Sequence, residues 1–225
     1  MTGVRPHDAD DNLFTLGGFT CRLAHPQAVT CPPVVLLHGT NGNENALLDF
    51  GGAVAPNHAL FALRGPTPWN DGYTFILRKD DGSLDLEDLA RQVPKFEDFL
   101  QAFIREYDVA PILIGYSIGA ILSTALIGRD PSLVAGVVLL RPMPPQPDFQ
   151  PAALNGTPVL MIGGRHDERR LPQDFPDLQR QLIGAGADVT AHMLDAGHGL
   201  ERSGLDIRLT RDWITGFETV RGART

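Results

Sequence analysis

"PILIGYSIGA" (residues 111–120) is an apolar run that ends on a serine set between two glycines, and its reading decides the fold. Ile112 to Ile114 have the unbroken hydrophobic character of a strand covered on both faces. Gly115-Tyr116-Ser117-Ile118-Gly119 then forms a G-x-S-x-G pattern, and Gly119, Ala120, Ser123 and Ala125 suit a helix that packs closely beneath it. Strand, tight turn and helix are the setting in which a serine hydroxyl is lifted clear of the backbone as a nucleophile. A chance match in a glycine-rich chain has no reason to carry both flanking elements.

Outward from this turn, short apolar strands alternate with helical patterns. Strands are expected at 33–38, 59–64, 111–116, 134–140, 158–163 and 188–194. Helices are expected at about 45–55, 85–107, 118–128, 174–184 and 204–220. Ahead of them, Phe14–Leu16 and Phe19–Leu23 flank Gly17-Gly18 and read as an antiparallel hairpin. The fold class is α/β, a mostly parallel central sheet with helices on both faces and an N-terminal antiparallel hairpin. Pro94 should kink its helix or mark a broken start. The stretch 65–83 reads as a loop rich in Gly, Pro and aromatics, and the acidic run from Asp80 to Asp88 as a solvated helix start favoured by the helix dipole.

At 225 residues the chain suits a single domain over 12–225, behind a polar leader at 1–11 and without a separate large lid domain. The hydrophobic fraction of 43% and charged fraction of 20% are those of an ordinary globular protein. A net charge of −8 argues against nucleic acid or an anionic membrane as partner. No run has the length of a signal-peptide core or a membrane span, so a cytoplasmic location without membrane insertion is expected. In that compartment Cys21 and Cys31 are expected to be free thiols.

Ligands of such a sheet gather beyond the carboxyl ends of its strands, and a serine hydroxyl there needs a base to take its proton. Of the seven histidines, His198 in "DAGHGL" follows the last strand, between glycines, in a loop able to reach over the sheet edge. His38 ends the first parallel strand, where shaping its loop is the better reading, and His166 comes too early in the chain. His7, His25, His58 and His192 have no special context. A carboxylate must fix the imidazole tautomer, and Asp167 lies just beyond the strand "PVLMIG"; the rivals are Glu168, one residue late, and Asp195, which suits shaping its own loop. The chain order Ser117, Asp167, His198 is that of α/β-hydrolase sheets. An oxyanion needs preset donors, expected from the backbone N–H of Ile118 and that of Thr40 in "HGTNGNEN". In the same loop, Asn43 or Asn45 is expected as cap of the next helix.

Together, "LLHGTNGNENALLDF", "LRGPTPWNDGYTFILRKDDGSLDLEDL", "LIGYSIGA", "LLRPMPP", "MIGGRHDERRLP" and "DAGHGL" resemble the phospholipase/carboxylesterase family of α/β hydrolases. That family is related to the acyl-protein thioesterases and, more distantly, to the dienelactone hydrolases. The resemblance runs from about residue 12 to the C-terminus. It implies hydrolysis of carboxylic esters with Ser117, Asp167 and His198 as triad, no metal or organic cofactor, and a homodimer. Two departures stand out. Relatives often carry a proline directly after the triad aspartate, whereas Asp167 is followed by Glu168-Arg169-Arg170. Dienelactone hydrolases use cysteine at the elbow, where this chain has Ser117.

The expected substrate is a small-molecule ester of short to medium chain. Trp69, Tyr73 and Phe75 are candidates to wall its pocket or to pack as ordinary core, and Met143 is a further pocket candidate. Alternative readings are an acyl thioesterase or lysophospholipase-like hydrolase and, from another class, a hydrolase-fold binding protein with little turnover.

Overall fold

The structure is a computed structural model that describes residues 13–25, 31–201 and 203–222. The leader at 1–11 lies outside them. The hairpin forms from β1 (Leu13–Leu16) and β2 (Phe19–Ala24), turning at Gly17 and Gly18. Next come β3 (Val34–Leu37), α1 (Leu48–Val54) and β4 (Leu60–Leu63). A small hairpin, β5 (Thr67–Trp69) and β6 (Gly72–Thr74), precedes α2 (Leu86–Tyr107). The remainder alternates: β7 (Ile112–Tyr116), α3 (Ile118–Ile127), β8 (Gly136–Leu140), β9 (Pro158–Gly164), α4 (Asp174–Gly184), β10 (Asp188–Leu194) and α5 (Leu205–Gly222).

Eight strands make one sheet in the order β1-β2-β4-β3-β7-β8-β9-β10. β1 and β2 are antiparallel to their neighbours, and every pairing from β4 to β10 is parallel. The α/β reading therefore holds, with its parallel body and antiparallel entry. The apolar strands explain why. Val35, Leu37, Leu113, Val137, Leu139, Val159 and Met161 point to one face, where they pack with Phe96, Phe99 and Phe103 of α2, Ile121 of α3 and Leu178 of α4. The alternate residues Val34, Leu36, Ile112, Ile114, Val138, Leu140, Leu160 and Ile162 point to the other, against Phe50 and Val54 of α1 and Ile214 of α5. A strand buried on both faces needs hydrophobic residues at every position, which is why these runs do not alternate with polar ones.

Four local expectations are sharpened or overturned. Helix α2 runs from Leu86 to Tyr107 with Pro94 inside it, so the proline does not mark a broken start; the buried Leu89, Val93, Phe96, Phe99, Leu100 and Phe103 hold the helix on one side across the missing backbone bond. In the acidic run, Asp85 caps α2 by accepting from the Glu87 and Asp88 N–H groups, but Asp88 is buried and accepts from Leu77 N–H at 2.7 Å and Gln92 Nε2 at 3.0 Å. Neither Asn43 nor Asn45 caps α1, which begins three residues later behind Leu47; Asn43 Oδ1 instead accepts from Asn45 N–H at 2.9 Å, closing its own turn. The stretch 65–83 is also more ordered than a plain loop, because Tyr73 N–H donates to Gly42 O at 2.8 Å and docks the β5–β6 hairpin on the loop after β3.

Candidate active site

Ser117 stands between β7 and α3 with φ 55° and ψ −109°, a backbone conformation that costs a non-glycine residue energy and persists only where neighbours enforce it. The flanking glycines permit that turn for a steric reason. A Cβ on Gly115 would lie 2.5 Å from Gly119 O, and one on Gly119 would lie 2.3 Å from Leu37 O. Helix α3 is thus pressed against the ends of β3 and β7. Any side chain at either glycine would push the serine off the sheet edge.

The three residues singled out in the sequence meet here. His198 Nε2 is 2.9 Å from Ser117 Oγ, and His198 Nδ1 is 2.9 and 2.8 Å from the two carboxylate oxygens of Asp167. Asp167, almost fully buried beyond β9, also accepts from the Arg169 N–H at 3.0 Å. With its carboxylate on Nδ1, the imidazole carries that proton and offers a free Nε2 to the serine. Burial holds the His198 pKa below its ordinary 6.5; the Asp167 hydrogen bond works the other way, and the charges of Arg170 and Arg169 add to the lowering. The ring is therefore a neutral acceptor near pH 7.

The rivals point elsewhere. Asp195 is exposed and pairs with the exposed His166 at 2.6 Å, and Glu168 is exposed beside a surface cavity. His38 is buried, its Nδ1 2.7 Å from Gly39 O and its Nε2 accepting from Gly65 N–H at 2.9 Å. That fixes it as a neutral strut under the loop carrying Thr40. The same loop is tied down by Glu44, whose carboxylate takes two 2.7 Å bonds from Arg64; this ion pair holds the Glu44 pKa low. Ile118 is the first residue of α3, where a backbone N–H has no intrahelical acceptor. Thr40 follows Gly39, whose own Cβ position would be 3.6 Å from Ser117 Cβ, so the loop lies against the serine. The Thr40 hydroxyl is buried there without a partner among the described residues.

Sequence reading missed three side chains. Arg141 follows β8 and is fully buried, with φ 53°. It donates to both oxygens of Asp206 on α5 at 2.8 and 2.9 Å, to Gly197 O at 3.0 Å and to Gly199 O at 2.8 Å. Tyr116 OH donates to the carbonyl between them, His198 O, at 3.0 Å. Three successive carbonyls of the histidine loop are thus clamped from the ends of β7 and β8. A charged residue directly after a wholly apolar strand, as in "LLRPMPP", was the available signal for Arg141. The third, Arg170, donates from Nη2 to Ser117 Oγ at 3.2 Å. The unusual Glu168-Arg169-Arg170 sequence pointed to this loop without revealing that contact.

The pocket candidates divide. Met143 lines a cavity of about 660 Å³ together with Leu84, Pro144, Pro145, Leu171 and Arg170. Phe75 does not: it is fully buried, its ring 4.7 Å from that of His38 and tilted by 39°, so it belongs to the core. Trp69 and Tyr73 lie on the β5–β6 hairpin away from this cavity's lining, and Tyr73 carries the Arg64 guanidinium over its ring at 4.9 Å. Among the described residues, no group of three His, Cys, Asp or Glu side chains is arranged to hold a metal ion, and no helix is long and apolar enough to cross a membrane.

Comparison with known proteins matches residues 89–208, more than half of the chain, to the dienelactone hydrolase family. The chain belongs to that family. It is a hydrolase of the dienelactone hydrolase and carboxylesterase type. It is 28% identical over 183 residues, 80% of this chain and 90% of the other, to a Bacillus subtilis (strain 168) protein named as a hydrolase, MhqD. Among solved structures, a carboxylesterase from Bacillus cereus aligns with a TM-score of 0.81 at 28% identity, over 88% of this chain and 94% of that one. A carboxylesterase from Mesorhizobium loti aligns equally well, 0.81, at 27% identity over 92% and 100%. For this member of the dienelactone hydrolase family, the matched segment takes in the Ser117 turn and both loops that meet it.

Proposed function

We propose that this protein is a serine carboxylesterase acting on short- to medium-chain esters through an acyl-enzyme on Ser117. The observation that carries the reading is the continuous chain of hydrogen bonds from Ser117 Oγ through both nitrogens of His198 to the Asp167 carboxylate. His198 takes the Ser117 proton as Oγ attacks the ester carbonyl carbon. The backbone N–H groups of Ile118 and Thr40 receive the oxyanion, and His198 returns the proton to the departing alcohol. Water then attacks the acyl-enzyme by the same route and frees the carboxylic acid.

The name carboxylesterase borne by both structural neighbours supports the same chemistry. The cavity beside Arg170 has an apolar wall of Met143, Leu84 and Leu171 among charged residues that include Arg78, Glu168 and Asp174, and that wall suits one side of such an ester. A cytoplasmic homodimer belongs to the same proposal, and a monomer mass by light scattering would remove the dimer from it.

The test is turnover of p-nitrophenyl acetate, butyrate and octanoate by wild type and Ser117→Ala. Loss of a triad member costs roughly 10,000- to 1,000,000-fold in kcat. Equal rates for the two proteins would remove Ser117 as nucleophile. A wild type that binds these esters without multiple turnovers would replace the enzyme reading with a binding one.

A further inference from the structure

Among the described residues Ser117 Oγ has two hydrogen-bond partners, and His198 is one of them. The second is Arg170, whose Nη2 donates to it at 3.2 Å. The rest of this guanidinium is committed to backbone carbonyls: Nε and Nη2 donate to Arg141 O at 3.0 and 2.8 Å, and Nη1 to Arg169 O at 3.0 Å. No carboxylate lies within ion-pair distance of it among the described residues. Its hydrogen bonds all go to neutral oxygens, while the Asp167 and Asp174 carboxylates favour its charge from beyond bonding distance; partly buried charges of this kind gather where the charge itself is used. Burial draws the Arg170 pKa down to about 10, which leaves it a cation at neutral pH.

Resting on the reading of Ser117 as nucleophile, we infer that Arg170 is a catalytic residue of the second half-reaction, where it stabilises Ser117 Oγ as leaving group. In the acyl-enzyme, Oγ is the ester oxygen. Water attacks the acyl carbon as His198 Nε2 takes its proton, forming the new C–O bond. The tetrahedral adduct then collapses: the C–Oγ bond breaks, its electron pair goes to Oγ, and Oγ recovers the proton from Nε2. The products are the carboxylic acid and the free serine hydroxyl. A cationic donor already resting on Oγ makes the acyl carbon more electrophilic and steadies the charge that builds on Oγ as the bond breaks. In acylation the donor already holds the serine hydroxyl of the free enzyme, so much of its effect is spent on the starting state; the ester oxygen of the acyl-enzyme accepts more weakly, and the gain on reaching the charged transition state is larger. Its benefit therefore falls mainly on deacylation. The three backbone bonds fix the guanidinium in advance, so the contact needs no rearrangement.

Arg170→Gln, assayed with p-nitrophenyl acetate, tests this. Loss of one charge-assisted hydrogen bond to the leaving oxygen should lower kcat by about 10- to 100-fold. KM should fall with it, leaving kcat/KM nearly unchanged, because the slowed step follows acylation. Rapid-quench mass spectrometry should then find acetylated Ser117 accumulating after a p-nitrophenolate burst. Parallel losses in kcat and kcat/KM without acetyl-enzyme, or wild-type kinetics, would overturn the inference. Arg170→Lys keeps the charge with fewer donors and should show the same split at a smaller factor; it carries the test where the glutamine variant does not fold. Ser117→Ala separates the two levels. If it remains active, the serine reading fails; if it is inactive while Arg170→Gln accumulates no acyl-enzyme, only the role of Arg170 fails.

Discussion

Asp206→Ala removes one partner of the most deeply buried ion pair described in this protein. Arg141 and Asp206 side chains are 0% and 1% exposed, and two bonds of 2.8 and 2.9 Å join them. Without the carboxylate, the guanidinium keeps only backbone carbonyls in a site closed to water. Leaving a buried charge uncompensated costs about 3–5 kcal/mol. At about 2–4 °C per kcal/mol for a chain of this size, the melting temperature should fall by about 6–20 °C. Thermal unfolding followed by circular dichroism reads this directly. The companion variant is Arg141→Met with Asp206→Leu, which exchanges the pair for apolar groups of similar volume. Such exchanges are often neutral or stabilising, so most of the lost stability should return. Esterase activity should not, because the Arg141 bonds to Gly197 O and Gly199 O, which hold the His198 loop over Ser117, are gone. A melting temperature of Asp206→Ala within 2–3 °C of wild type, against the loss expected per kcal/mol, would refute the energetic argument. Full activity in the double variant would refute the claim that Arg141 positions the histidine.

Three further outcomes follow from the same geometry. Because burial holds the His198 pKa below 6.5, the acid limb of kcat/KM against pH should fall below that value in wild type, and Arg170→Gln should move it upward by removing a nearby positive charge. The sign for stability agrees: His198 and the buried His38 both have folded pKa values below 6.5, so the unfolded chain takes up protons first and stability declines as pH drops beneath about 6.5. A denaturant midpoint that rises on mild acidification would contradict this. Gly119→Ala places a methyl 2.3 Å from Leu37 O, so helix α3 must move; a loss of about 1–3 kcal/mol is expected, together with reduced activity. Unchanged chemical denaturation would show that the turn has more room than its packing indicates.

The residues alone determined the alternation of strands and helices, the serine turn and the chain order of the three groups beyond the strand ends. Those features rest on short-range physics: strands buried on both faces must be apolar throughout, and the turn at Ser117 tolerates only glycine on either side. Tertiary structure alone decided which neighbours meet across long separations. Phe75, an aromatic in a loop-like stretch, belongs to the core because the β5–β6 hairpin folds back onto the loop after β3. Asp88 looked like one charge among several in an acidic run, yet the path of the preceding segment buries it against Leu77 N–H. The apolar strand before Arg141 and the Glu168-Arg169-Arg170 run mark the two loops, but nothing local says what either guanidinium binds. Their positions depend on where the loops after β8, β9 and β10 converge, 29 to 65 residues apart in the chain, and periodicity within a single element holds no information at that distance.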